Sequence, residues 1–327
     1  MRRSLIAAIC ILVTFVATAC TGGGRSPTSI PDAARHPVAA PAAASARLPR
    51  GVVSIPLVHS GVRLGSGFGS VWVEARGVGE LYRVDPRTNR VIATIPTKGP
   101  MCGTPTAMFR RVWVSYCQLP GAAVVDPRSN RLVGKVAART LDFAGLRHRI
   151  WMPDAFDPRT LQLVRRVHVG APDGFTGGVV AALHRLWGFD VKNLGDFVRI
   201  DPRSGRVTGR FVVGERETSG NLAAVYRGRI WVYGARARVW VVDPRTVRVT
   251  VHVLPGLDQN NRFGTFTVAR GDLWVRQAQA VHRYALPTLR PVATYPAGPG
   301  LGGFVIIAFG SLWITNVEDG SLWRVRI

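Results

Sequence analysis

The stretch RVDPRTNRVIATI, residues 83 to 95, returns as VVDPRSNRLVGKV from Val124, AFDPRTLQLVRRV from Ala155, RIDPRSGRVTGRF from Arg199 and VVDPRTVRVTVHV from Val241. A second motif alternates with it: a tryptophan with apolar neighbours, set just after a short turn. It occurs at Trp72, Trp113, Trp151, Trp187, Trp231, Trp274 and Trp313, at intervals of 36 to 44 residues. A unit of that length cannot bury its own apolar faces and must stack on copies of itself. When each copy consists of several short strands, the architecture is a β-propeller.

Turn chemistry and alternation divide each unit into four strands. The unit from Leu222 reads LAAVY, then RIWVY after the turn RG, then VWVVD, then RVTVHV after the turn PRT. The tryptophan falls on the second strand from the axis, where adjacent blades are expected to cover both faces. Spacing by whole blades keeps the seven rings apart, which argues against an aromatic cage. The last unit reads FVIIAF, SLWIT and SLWRVRI and lacks a fourth strand. The segment VVSIPLV, Val52 to Val58, precedes the first unit and is expected to supply it. Such pairing closes the ring and removes its open edges. The expected fold is therefore all-β: a seven-bladed β-propeller of four-stranded blades over residues 51–327, closed by the N-terminal strand on the C-terminal blade.

In this frame Asp-Pro-Arg lies at the hairpin between the third and fourth strands, where Pro presets the turn dihedral and Asp bonds the local backbone. It is expected to be scaffolding, since a cluster repeated in every blade lies on a ring too wide to converge on one ligand. The sixth copy departs from the pattern and reads ALPTLR from Ala285.

Residues 1–20 have the parts of an export signal: Arg2 and Arg3, an apolar run from Leu5 to Val16, and small residues before Cys20. That arrangement resembles the lipobox of bacterial lipoproteins, which implies lipidation at Cys20 and a position on the outer side of the cytoplasmic membrane. Residues 21–50 are rich in Ala, Pro, Ser and Gly without an apolar period. They are expected to be a disordered tether with a reach of roughly 30 Å. Cys102 and Cys117 are then the cysteines left in the mature domain, and an oxidising compartment favours a disulfide between them.

The chain has 43 Lys and Arg against 19 Asp and Glu, a net charge of +24. Sorting these charges by strand alternation separates them. The turns joining first to second and third to fourth strands share one face, which receives Arg87, Arg110, Arg128, Arg159, Arg203, Arg245 and many more arginines. The other face receives Glu74, Glu80, Asp142, Asp154, Asp258, Glu318 and Asp319, among others. An exported chain of this charge is expected to meet anionic lipid or wall polymer rather than nucleic acid. The Val52 strand enters at the basic face, so that face is expected to lie toward the membrane.

Loops joining successive blades converge on the channel mouth at the opposite face. They supply the candidate ligand-binding residues Asp142, Asp173, Glu215, Glu217, Asp258, Asn260, Asn261 and Arg262. Their oxygens could hold Mg or Ca, or the polar groups of a small molecule. The sequence specifies no organic cofactor: it has no Gly-rich phosphate loop, nucleophile elbow or zinc spacing.

The segment GSLWITN from Gly310, together with RIDPRSGRV, resembles the bacterial repeat family that includes virginiamycin B lyase and the Tyr-Val-Thr-Asn propellers. Trp313, Ile314, Thr315 and Asn316 stand at the tetrapeptide. These are blade-building motifs, and the resemblance spans all seven units. Its lyase branch implies a magnesium-dependent elimination on a cyclic depsipeptide, using histidine and glutamate beside the mouth. In this chain only His59 approaches the mouth, and the sequence pairs no acid with it. The catalytic residues of the family are therefore not carried over.

The functional expectation is a monomeric, lipid-anchored, extracytoplasmic binding or interaction module whose acidic mouth takes a small molecule, peptide or protein. The alternative is a metal-dependent lyase or hydrolase of the virginiamycin B lyase type.

Overall fold

A computed structural model describes residues 48–75, 77–117, 120–137, 141–167, 178–189, 196–213, 222–234, 236–261, 264–298, 300 and 302–327. Residues 47–327 form one compact unit. The expected signal, Cys20 and nearly all of the tether lie outside the described residues.

The compact unit is a ring of seven four-stranded antiparallel sheets. Blade one comprises Gly61–Gly67, Ser70–Ala75, Glu80–Asp85 and Arg90–Pro96. Blades two to six repeat this order, and blade seven comprises Val305–Ala308, Ser311–Asn316, Ser321–Arg326 and the N-terminal strand Val52–Pro56. Val52 pairs with Val325 and Pro56 with Ser321, which closes the ring as expected.

The core is divided into seven apolar layers, one at each seam between blades. In each, the tryptophan of one blade packs on the second strand of the next. Trp72 meets Val112 and Val114, Trp113 meets Ile150, Trp151 meets Leu186 and Trp187 meets Ile230. Trp231 meets Leu273, Trp274 meets Leu312, and Trp313 meets Val71 and Val73 to complete the circle. All seven rings are buried, and truncating one to alanine at such a site costs about 3–5 kcal/mol.

The first and second strands of every blade are joined by a two-residue turn whose central residues both have positive φ, the geometry that matches strand twist. The first of these is never glycine: it is Phe68, Phe109, Arg147, Leu183, Arg227, Arg270 or Phe309. The tryptophan stabilises this turn. The Nε1 group of Trp72 donates to the carbonyl of Gly67 at 3.0 Å, and those of Trp113, Trp151, Trp187, Trp274 and Trp313 make the same bond five residues back.

The Asp-Pro turn and its aspartate are scaffolding. The aspartate Oδ1 accepts the backbone N–H of the arginine two residues on, as in Asp85 to Arg87 at 2.8 Å and Asp157 to Arg159 at 2.8 Å. These N–H groups hold the Asp85, Asp157, Asp201 and Asp243 carboxyls below their usual pKa, with flanking arginines adding to the effect. In blades two to five the same carboxylate pairs with the arginine that opens the second strand: Arg111 with Asp126, Arg149 with Asp157, Arg185 with Asp201 and Arg229 with Asp243. The turn also links blades. Arg324 of blade seven lies over Trp313 and donates to Asn89 Oδ1 of blade one at 2.8 Å. Arg83 of blade one makes the corresponding bond to Asn130 of blade two at 2.8 Å.

Candidate functional site

At the axis, a cavity of about 250 Å³ is lined by residues from all seven blades. Its walls are mainly apolar, with Leu64, Val179, Ala223, Phe266 and Val305 among them, and Thr104, Thr106 and Thr267 add hydroxyls. Asp142 is the one carboxylate among the described residues lining it.

Arg63 reaches that carboxylate from across the ring. Its Nη1 lies 3.8 Å from Asp142 Oδ1 and donates to Thr104 Oγ1 at 3.3 Å, while the guanidinium carbon sits 4.6 Å from the Phe304 ring centre. One side chain of blade one thus touches groups belonging to blades two, three and seven. The backbone explains how. Pairing between the first two strands of blade one shifts register between Gly61 and Leu64, and a bulge of this kind re-aims the side chains it carries. The displaced N–H of Arg63 donates to the buried carboxylate of Glu74 at 3.3 Å, and the carbonyl of Val62 accepts from Thr315 Oγ1 at 2.5 Å. Asp142 is held close from the other side, since a Cβ added at Gly178 would stand 2.8 Å from Asp142 Oδ2.

Of the other expected mouth residues, Asp258, Asn260 and Asn261 are described, and they do not line this cavity. Asp258 caps its own turn, its Oδ1 accepting from the N–H of Asn260 at 2.8 Å and its backbone exchanging two hydrogen bonds with the Gln277 side chain. Asn261 continues that turn, its N–H donating to the Asp258 carbonyl at 3.3 Å. Asp173, Glu215, Glu217 and Arg262 lie outside the described residues.

The charge sorting needs two corrections on this face. Glu74 and Asp154 are buried rather than presented to solvent. Glu74 holds the bulge, and Asp154 accepts the N–H of Val167 at 2.8 Å, because a strand-end acid beside orphan N–H groups is better spent on the backbone than on water. Arg276, in turn, is a fully buried cation at the seam of blades six and seven. It donates to the Thr315 carbonyl and to Asn316 Oδ1. Desolvation lowers its pKa to about 10, opposed by Asp319 and Glu318. Gly303 makes room for it: a Cβ there would stand 2.2 Å from Arg276 Nη1, at a φ of +127°.

His59 has an acidic neighbour that the sequence does not reveal. Its Nε2 is 3.9 Å from Glu80 Oε2, and Tyr82 bridges the two by accepting from the His59 N–H at 3.0 Å and donating to Glu80 at 3.3 Å. Burial raises the Tyr82 pKa, the His59 N–H opposes that rise, and the Glu80 charge reinforces it. Among the described residues, no three His, Cys, Asp or Glu side chains come together in a way that could hold a metal ion. Asp173, Glu215 and Glu217, three of the expected oxygen donors for magnesium or calcium, lie outside the described residues.

Cys102 and Cys117 form the expected disulfide, with Cα atoms 4.7 Å apart. The bridge pins the segment entering blade two to the end of its second strand. Beside it, Cys102 N–H donates to Ser115 and Cys117 N–H to Pro100.

No family model matches the chain, and no curated protein is significantly similar to it in sequence. Solved structures do share its fold. Virginiamycin B lyase from Staphylococcus aureus superposes with a TM-score of 0.67 at 10% identity, covering 84% of this chain and 99% of that one. A chain of Kuenenia stuttgartiensis hydrazine synthase gives 0.63 at 15%, covering 82% and 96%. BamB from Moraxella catarrhalis gives 0.53 at 15%, covering 82% and 84%. The chain is thus a β-propeller similar in fold to proteins of diverse function.

Proposed function

We propose that the protein is a lipid-anchored, extracytoplasmic interaction module, held with its arginine-rich face toward the membrane and binding a partner at the opposite, Arg63-bearing mouth. The observation that carries this reading is the axial cavity, in which apolar walls from seven blades meet the Asp142 carboxylate that Arg63 approaches. Apolar enclosure with a few fixed polar groups is the usual form of a ligand site. Arg63 offers donors and Asp142 an acceptor, so the complementary group is small and carries both, as an amide or amino-acid side chain does. The anchor rests on the lipobox-like Cys20. The orientation rests on the Val52 strand, whose start pairs beside Arg326 at the basic end of blade seven.

Affinity capture from detergent-solubilised membranes tests this reading, comparing the wild-type chain with an Arg63→Gln, Asp142→Asn variant. The expected result is a bound species retained by the wild type and lost by the variant. An identical retained set would refute a role for the mouth.

A second reading, a lyase or hydrolase of the virginiamycin B lyase type, has the His59–Glu80 pair in its favour. It requires that Glu80→Gln abolish a measurable turnover of a cyclic depsipeptide.

A further inference from the structure

On the arginine-rich face, a cleft of about 790 Å³ separates blades two and three. Two of its carboxylates are already committed. Asp126 pairs with Arg111 at 2.9 Å and Asp157 with Arg149 at 2.7 Å. Each also accepts a turn N–H, from Arg128 and Arg159 respectively. Arg110, Arg128 and Arg159 line the same cleft and are exposed; none forms an ion pair with a carboxylate among the described residues, although the Arg159 charge helps hold the Asp157 pKa down. His148 adds a fourth donor.

Comparison among the blades points to a ligand. Arg110 is the second residue of its turn and has a φ of 60°. At the same place blades one, five, six and seven have Gly69, Gly228, Gly271 and Gly310, which adopt that backbone without strain, while blades three and four have His148 and His184. Blades two, three and four accept the strain, and in blades two and three the side chains so placed, Arg110 and His148, both line the cleft. Arg128 and Arg159, the third residues of neighbouring Asp-Pro-Arg turns, approach the same space from two blades. Three guanidinium forks around one cleft suit a compact anion with several oxygens and at least two charges. A phosphate group concentrates its charge and oxygens on one centre, and guanidinium geometry matches those oxygens pairwise.

We infer that the cleft between blades two and three is a binding site for a phosphate-bearing anion, held by Arg110, Arg128 and Arg159. The shared chemistry is a phosphate monoester or diphosphate, from a soluble compound or a lipid headgroup. The site does not depend on the reading of the mouth.

Calorimetric titration of the full-length chain in a neutral detergent tests the inference. One arm uses pyrophosphate. The other uses short-chain phosphatidic acid in the same micelles, with phosphatidylcholine as the blank. The expected result is saturable binding of at least one probe, weakened at least tenfold by Arg128→Gln with Arg159→Gln. The same charge removed at Arg203→Gln with Arg245→Gln should change affinity less than twofold. Arg110→Gly restores the glycine of the sister turns, so it should fold well and still weaken binding. Response to pyrophosphate identifies a soluble ligand, and response to phosphatidic acid alone identifies a headgroup. Binding of neither probe, or equal weakening by the two double variants, would overturn the inference.

Discussion

Arg63 Nη1 lies 3.8 Å from Asp142 Oδ1, joining blade one to blade three across the inside of the ring. Both side chains are mostly shielded from water, so the loss of one partner leaves the other poorly compensated. Asp142→Asn is expected to lower the unfolding free energy by about 1–3 kcal/mol, read by urea denaturation. Gly178→Ala should reproduce part of that loss by pushing Oδ2 aside. A Gly178→Ala variant as stable as the wild type would show that Asp142 is not held as described.

The tryptophans differ in one bond. Trp113 Nε1 donates to the Met108 carbonyl at 3.2 Å, whereas the buried Nε1 of Trp231 has no hydrogen-bond partner among the described residues. Replacement by phenylalanine removes comparable ring area at both sites. Trp113→Phe should therefore cost about 1–2 kcal/mol more than Trp231→Phe, because only the first leaves a carbonyl without its donor. Equal costs in thermal or chemical unfolding would contradict the turn-stabilising role.

Arg324 and Asn89 meet at 2.8 Å across the closing seam. A double-mutant cycle with Arg324→Gln and Asn89→Ala should give a coupling of about 1–2 kcal/mol. The Arg83 and Asn130 cycle should match it. Additivity within about 0.3 kcal/mol would remove the latch from the account.

Acid should weaken the turns. Backbone N–H groups and nearby arginines depress the carboxyl pKa of Asp85, Asp157, Asp201 and Asp243 in the folded chain. A group depressed on folding contributes stability in full above its unfolded value, about 3.9, and loses it as pH falls through the folded value. The stability gap between wild type and Asp243→Asn should accordingly be constant at neutral pH and shrink below about pH 4. A gap that widens on acidification would reverse the assigned direction.

Much of this architecture can be read from residues alone, because its signals are local and repeated. Trp72 to Trp313 mark second strands, Asp-Pro-Arg marks one class of turn, and Val52–Pro56 matches the strand that blade seven lacks. The site is less legible because its residues meet only after the ring has closed. Arg63 and Asp142 are 79 positions apart, and the bulge that aims Arg63 is hinted at only by the glycine-rich strand GVRLGSG. Alternation places Glu74 and Asp154 on the mouth face but cannot show that the backbone captures them. The spacing of Asp258 and Asn260 is that of a self-capped turn, a signal that argues against a free ligand residue.

The orientation of the two faces can be measured by single-cysteine labelling in blade five, whose fourth strand Val249–Val253 runs from the Arg245 turn to the Asn260 loop. Full-length chains carrying Arg245→Cys or Asn260→Cys would be reconstituted into anionic vesicles and exposed to a membrane-impermeant maleimide. The account predicts rapid labelling at position 260 and protection at position 245, with protection lost in neutral vesicles at high salt. Equal labelling at both positions, or protection at 260, would contradict it.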